Sequence, residues 1–284
     1  GLESKRLGRR LVRVRVGSKQ YDVSKKERLR IPFTALPYSV KLDNGRNAEN
    51  SARSRGFKFS VVSTIAAYLI DAPSVIVPES GQGALAPVLL PVGQGYEDYR
   101  SYPVFTALMA RFFNALLGYQ IQYRFPRLWM TKGETLREFA DVCGSDAHWA
   151  MTRSCWQQSR QVAVSGERRQ CGVCAACMLR RLSVHAAGLN EPPETYVWES
   201  LKAATWETGA AKDFASFTPA LREYSIAGVL HFEHLASLHE SLQYGLIKRR
   251  RTNELARSLS EPPAAVAQNF DRLIQQHANE WSAF

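Results

Sequence analysis

Four of the chain's five cysteines fall within a short stretch, as Cys155-x15-Cys171-x2-Cys174-x2-Cys177. A two-residue gap lets both thiolates of a Cys-x-x-Cys turn toward one ion, and Gly172 relieves the turn between the first pair. A distant fourth sulfur then closes a tetrahedron with metal–sulfur bonds of about 2.3 Å. Four protein ligands leave no open position, so the expected ion is a structural zinc. Arg168, Arg169, Arg180 and Arg181 are expected to help hold the sulfurs as thiolates. An iron–sulfur cluster takes the same four thiolates, a redox Cys-x-x-Cys would leave two sulfurs unexplained, and core cysteines clustered by chance are the plain reading. Cys143 lies outside the spacing and reads as a buried apolar thiol.

The rest of the 284 residues is ordinary for a globular protein, with 45% apolar and 22% charged residues. No window approaches the roughly 18 apolar residues of a membrane span. The basic N-terminal stretch has no apolar core, so it is not expected to act as a signal peptide. A cytoplasmic protein with reduced or metal-bound cysteines is the expectation. The net charge of +11 is unevenly placed: residues 1–58 hold 16 Lys or Arg against 5 Asp or Glu, and the remainder is neutral. Such a patch suits nucleic acid, a phosphate-bearing ligand or an acidic protein surface. A solvated face explains it equally.

Leu11 to Val16 alternates apolar and basic residues, as a half-exposed strand does. Residues 19–50 read as loop. From Ser54 to Leu69 the positions Phe57, Val61, Val62, Ile65, Ala66 and Leu69 recur at helical spacing, and Ser74 to Val77 reads as a buried strand. Residues 78–103 read as a long loop of the kind that carries function. A helix is expected over Val104–Leu117 and a strand over Ile121–Phe125. Thr131 with Glu134 spells a capping box. The alternation predicts a parallel α/β sheet, with ligands gathering beyond the strand C-termini near 78–103. Beyond Pro192-Pro193 the chain reads as amphipathic helices, among them 226–247 and 264–281, with a Lys-Arg-Arg-Arg run at 248–251. Three segments are expected: an α/β nucleotide- and substrate-binding domain over 1–140, a zinc segment over 141–190 and a helical C-terminal extension over 191–284.

Ser154-Cys155 followed by Cys171-Gly172-x-Cys174-x-x-Cys177-x-x-Arg180-Arg181 resembles the zinc-binding tail of the QueC family, the ATP-dependent 7-cyano-7-deazaguanine synthases. Arg53-Ser54-Arg55-Gly56-Phe57-Lys58-Phe59 looks like that family's Arg-rich helix start, and Thr131-Lys132-Gly133-Glu134 like its Thr/Ser-Lys-x-Glu signature. The resemblance covers roughly residues 50–190. Pro78-Glu79-Ser80-Gly81, Tyr102-Pro103 and Ala186-Ala187-Gly188-Leu189 are similar to QueC-like proteins of the anti-phage Qat and type IV CBASS systems. The biosynthetic enzymes' substrate loop is absent, and Tyr102-Pro103 alone echoes its end. The resemblance implies a Rossmann-like parallel sheet of the adenine nucleotide alpha-hydrolase (PP-loop) type. The family's Ser-Gly-Gly-x-Asp-Ser phosphate loop occurs nowhere in these residues; the expectation is that it lies before Gly1, the alternative being a degenerate ATP site.

The reaction the resemblance implies is ligase-type. ATP, with Mg2+, adenylates the carboxylate of 7-carboxy-7-deazaguanine, and an amine displaces AMP. That amine is ammonia in queuosine biosynthesis, or one belonging to a partner protein of the same operon in antiviral defence. Lys132 is the catalytic candidate, placed to stabilise charge on the α-phosphate. Arg53 and Arg55, at a helix start, are candidates for phosphate or carboxylate. Glu79 is a candidate for the guanine-like edge, and Arg100 and Tyr102 for the same mouth. Each has a plain counterpart as a cap, loop or surface residue. The six histidines have no ligand spacing and read as surface or boundary residues. Two other readings remain: a catalytically inactive zinc-stabilised subunit that binds a partner protein, and a nucleic-acid-binding zinc protein. The second ranks last, because the cysteine spacing matches no groove-reading finger.

Overall fold

The computed structural model describes residues 6, 8, 12–15, 33–35, 55–90, 98–144, 149–157 and 162–284. Arg53 and most of the basic stretch 1–58 lie outside them. The chain's contacts gather into two units, one of residues 1–78 with 98–126, the other of 79–97 with 127–284.

In the first unit, β1 (Arg13–Arg15) pairs in parallel with β2 (Phe33–Ala35), Arg13 opposite Phe33. The segment read as loop over 19–50 therefore contains a strand. Helix α1 (Arg55–Leu69) leads to β3 (Ser74–Ile76). Helix α4 (Pro103–Leu117) then crosses over to β4 (Gln122–Arg124), which pairs in parallel with β3, Ser74 opposite Gln122. Pro103 supplies a preset φ at the first helical position, and Gly118, at φ 65°, closes the C-terminus by donating to the Asn114 carbonyl. A parallel pair needs such a crossover, and a mixed α/β arrangement follows.

Helix α1 stands where its periodicity puts it, but it buries a different face. Gly56, Ser60, Thr64, Ala66 and Ala67 are inside, while Phe57, Ile65 and Leu69 are exposed. The cause is polar. Tyr123 of β4 brings its hydroxyl to within 2.6 Å of Thr64 Oγ1 and reaches the Ser60 carbonyl, so the helix must present small residues to the strand. Tyr119 donates to the carbonyls of Ala67 and Ala72 at the helix's far end.

The second unit begins with what was expected to be loop. Residues 79–90 instead form two helical turns, α2 (Gly81–Ala84) and α3 (Ala86–Leu89), with Gln82, Ala84, Leu85, Ala86 and Val88 buried. A Cβ on Gly81 would collide with the Leu128 carbonyl and the Leu273 side chain, so glycine alone allows this turn to nest there. Helix α5 (Lys132–Cys143) starts with the capping box in place: Glu134 N–H donates to Thr131 Oγ1 at 3.0 Å, and Thr131 N–H to Glu134 Oε2 at 2.8 Å. Cys143, at its end, is half-buried rather than buried. A hairpin of β5 (Ala163–Val164) and β6 (Glu167–Arg168) turns through Ser165 and Gly166, both at positive φ, as a tight two-residue turn requires. Helix α6 (Ala175–Ala186) follows.

The C-terminal region is helical, with one break more than the periodicity suggests. Helix α7 (Pro219–Ala236) stops because Ser237 turns its hydroxyl back onto the Glu233 carbonyl and Leu238 drops into the core as a 3-10 turn. Helices α8 (Tyr244–Leu259) and α9 (Pro263–Ala283) complete the unit. The basic run 248–251 lies on α8: Lys248 pairs with Asp271, while Arg249 and Arg250 are exposed, Arg250 beside Glu254. Arg251 is buried, reaching Glu254 and the Val88 carbonyl. Among the described residues, no helix is long and apolar enough to cross a membrane.

Candidate metal centre and Glu79–Lys132 site

The four cysteines meet. Their sulfurs all lie within 4.8 Å of one another, and Cys171 Sγ is 3.7 Å from Cys177 Sγ. A tetrahedral ion with metal–sulfur bonds of about 2.3 Å needs sulfurs about 3.8 Å apart. The donor set and spacing therefore fit a metal such as zinc. The scaffold is local. Gly172 has φ 86°, and a Cβ there would press on Tyr196 Cβ at 3.0 Å and on the Trp198 carbonyl at 3.1 Å. The turn it permits aims backbone N–H groups at sulfur: Cys174 N–H donates to Cys171 Sγ at 3.2 Å, and Cys171 N–H to Cys155 Sγ at 3.2 Å. Cys174 caps α6, and Cys177 stands on its first turn.

Gln170 supplies the link that brings the distant ligand in, and nothing in the cysteine spacing marks it. Its buried side-chain oxygen accepts from Ser154 N–H at 2.8 Å and Cys155 N–H at 3.3 Å. Its own backbone is laced to the 195–197 segment, and Trp198 N–H donates to the Cys171 carbonyl at 3.0 Å. The floor is apolar: Val162, Val164, Val197, Trp198, Phe214 and Leu221 pack around the sulfurs. The pKa of Cys155 is drawn down by its hydrogen bond with Cys171, and that of Cys177 is pushed up by its bond with Cys155 and by burial.

Of the arginines expected to hold the sulfurs as thiolates, Arg181 interacts electrostatically with Cys177, while Arg169 and Arg180 are paired with carboxylates. Arg180 is buried and forks onto Glu191 at 2.6–3.1 Å, while also holding the Thr152 carbonyl at 2.9 Å. Arg181 lies 4.0 Å over the Tyr196 ring and donates to the Trp198 carbonyl. Arg169 pairs with Glu199, and Arg168 is exposed on the hairpin. They build the walls of the centre, while backbone amides carry the direct bonds to sulfur.

Elsewhere in the same unit, Lys132 and Glu79 come together. Lys132 Nζ is 3.3 Å from Glu79 Oε1, with the two side chains 41% and 35% exposed. The Glu79 carboxylate folds over the turn at Gly83, where a Cβ would collide with it. The backbone N–H of Lys132, one of the orphan donors at a helix start, goes to Gln82 Oε1 at 2.7 Å. That amide is therefore not offered to an anion; the charge available at this point is the ammonium itself.

The remaining candidates belong to the first unit. Arg55 is exposed at the start of α1. Arg100 pairs with Asp98, its Nε 2.6 Å from the carboxylate. The two candidates stand close, because Gly56 beside Arg55 would drive a Cβ to 2.8 Å from Arg100 Cγ. Tyr102 is buried, its ring edge-on to Tyr99 at 5.7 Å, as the residue that precedes α4. Arg53 lies outside the described residues.

Residues 88–188 match a family model. Its description is "Queuosine biosynthesis protein QueC", and the match runs over a little more than a third of the chain. It includes the Thr131–Glu134 capping box, Lys132 and all four sulfurs. No curated protein and no solved structure matches. The match supports a QueC likeness for this part of the chain.

Proposed function

We propose that this protein uses ATP to adenylate the carboxylate of a 7-carboxy-7-deazaguanine and passes the acyl group to an amine. The observation that carries the reading is the QueC family match spanning residues 88–188. In this chemistry a carboxylate oxygen attacks the α-phosphorus and pyrophosphate leaves. The amine then attacks the carbonyl carbon, and AMP departs as the amine gives up a proton. Lys132 neutralises charge developing at the α-phosphate, acting from the partly exposed position seen in its pair with Glu79. Glu79 accepts from the base edge, and the incoming ligand exchanges the Lys132–Glu79 contact for contacts of its own. Arg53 and Arg55 are further candidates for phosphate or carboxylate, and Arg100 and Tyr102 for contact with the substrate.

The ion at the four sulfurs is zinc in this reading; with four protein ligands it stabilises the fold and supplies no open position for substrate. The amine is ammonia, or belongs to a partner protein in an anti-phage system. The test is pyrophosphate exchange into ATP in the presence of Mg2+ and 7-carboxy-7-deazaguanine. Exchange that depends on the deazaguanine acid and falls at least tenfold in Lys132→Ala is the expected result, and the absence of exchange in metal-loaded protein sinks the reading.

One observation favours a second reading, a non-catalytic metal-stabilised subunit. Phe57, Leu108, Phe112 and Leu116 on α1 and α4 are exposed apolar side chains of the kind a partner covers. A stable complex indifferent to ATP and to Lys132→Ala would support it over the enzyme.

A further inference from the structure

Helix α9 is far from the candidate site in sequence, yet one of its faces is spent on it. Leu273 packs against Gly81, in the turn that follows Glu79. Arg272 donates to the Trp129 carbonyl at 2.8 Å and pairs with Glu134 of the capping box. Glu280 accepts from Thr131 Oγ1 at 2.6 Å, and its Oε1 would stand 3.1 Å from a Cβ on Gly133. Between these, His277 is fully buried, with Nδ1 2.8 Å from Gln82 Nε2 and Nε2 3.0 Å from the Phe232 carbonyl.

The polarity of this chain is fixed by chemistry. The Phe232 carbonyl can only accept, so His277 Nε2 carries the proton. A neutral imidazole then leaves Nδ1 as an acceptor, so Gln82 turns its NH2 toward it. The Gln82 oxygen is thereby aimed at Lys132 N–H, which it meets at 2.7 Å. Burial holds His277 in the neutral form that this arrangement needs.

We propose that Gln82 and His277 are positioning residues for Lys132, through which helices α7 and α9 set the site that holds Lys132 against Glu79. The part of this concerning catalysis rests on the reading of Lys132 given above; the part concerning position does not. A residue held through two buried hydrogen bonds sits more tightly than one on a frayed helix start.

The experiment compares Gln82→Leu and Gln82→Glu with the parent, using metal content and melting temperature to certify the fold. Hydrogen exchange at the Lys132 amide is the first readout, and pyrophosphate exchange the second. Gln82→Leu removes both bonds, and Lys132 amide exchange should quicken about tenfold. Gln82→Glu keeps the acceptor, but its second oxygen needs a proton on His277 Nδ1. Protection of the Lys132 amide should then hold at low pH and fall as pH rises, beyond the intrinsic pH dependence seen in the parent. The other titratable groups packed nearby are His231 on α7, Glu280 on α9 and Glu79. Equal protection in all three proteins at every pH overturns the proposal, whatever the catalytic result. If the parent catalyses pyrophosphate exchange, Gln82→Leu should lower kcat about tenfold with KM for ATP little changed, and an unchanged kcat overturns the catalytic part. Failure of the parent to turn over, with the amide effects present, removes the enzymatic reading and leaves the positioning role standing.

Discussion

Replacing His231 with Gln should flatten the acid side of the protein's stability curve. His231 is buried on α7, and its pKa is pushed down to about 4 from 6.5, first by desolvation and then by the neighbouring His277. A histidine held neutral in the folded state, yet free to protonate when unfolded, makes the unfolded chain the better proton binder. Its contribution is intact above about pH 6.5 and is lost as pH falls. Holding the imidazole neutral down to about 4 corresponds to about 3 kcal/mol in full, of which about 1.4 kcal/mol is gone by pH 5.5 and about 2 kcal/mol by pH 5. Glu280 runs the other way. Burial raises its pKa, so it disfavours folding as pH rises above the ordinary carboxylate range. The measurement must therefore be a difference. Urea unfolding of parent and His231→Gln at pH 7.5, 6.5 and 5.5 should show the gap between them narrowing by about 1.4 kcal/mol over that range. Gln offers a donor near the position of Nε2 and has no proton to gain. A gap that stays constant with pH would show that His231 is not the neutral buried group described.

Arg180→Met should cost about 3–5 kcal/mol in chemical unfolding, because Glu191 would be left as a buried charge without its guanidinium; a loss under 1 kcal/mol contradicts the pairing. Gly172→Ala should destabilise by about 2–4 kcal/mol, since positive φ and contact with Tyr196 and Trp198 both oppose a Cβ. Its metal affinity, measured by chelator competition, should fall in parallel. Glu280→Gln should be neutral or mildly stabilising above pH 6. One buried carboxylate oxygen has no partner, and the charge carries a desolvation cost. A marked loss of stability in urea would show that the charge itself is needed.

What the sequence reveals here is local chemistry, and what it conceals is long-range. Cys171, Cys174 and Cys177, the glycine turn between the first two and the Thr131–Glu134 box are legible because each is set within a few residues. Helix α1 shows where periodicity misleads. Phe57, Ile65 and Leu69 recur at helical spacing, yet the buried stripe is Gly56, Ser60, Thr64 and Ala67, because a tyrosine hydroxyl from a strand some 60 residues on dictates it. His231 and His277 look scattered, with no ligand spacing, and read as surface residues. For His277 the telling partner, Gln82, stands 195 residues away along the chain. Residues 79–90 resemble loop because Gly, Pro and Ser break any period, while their burial comes from Leu128 and Leu273 pressing on Gly81. Gln170 is invisible for the same reason, its role being to seat a ligand 15 residues earlier.

The four-sulfur centre belongs to the same unit as Lys132 and Glu79 and orders the segments around it. Elemental analysis of the purified protein, with its absorption spectrum, tests it directly. One zinc per chain, a featureless visible spectrum and loss of the metal in Cys171→Ser or Cys177→Ser are the expected results. Iron with sulfide and absorption near 400 nm, or thiols that titrate free in a metal-free but fully folded protein, would contradict it.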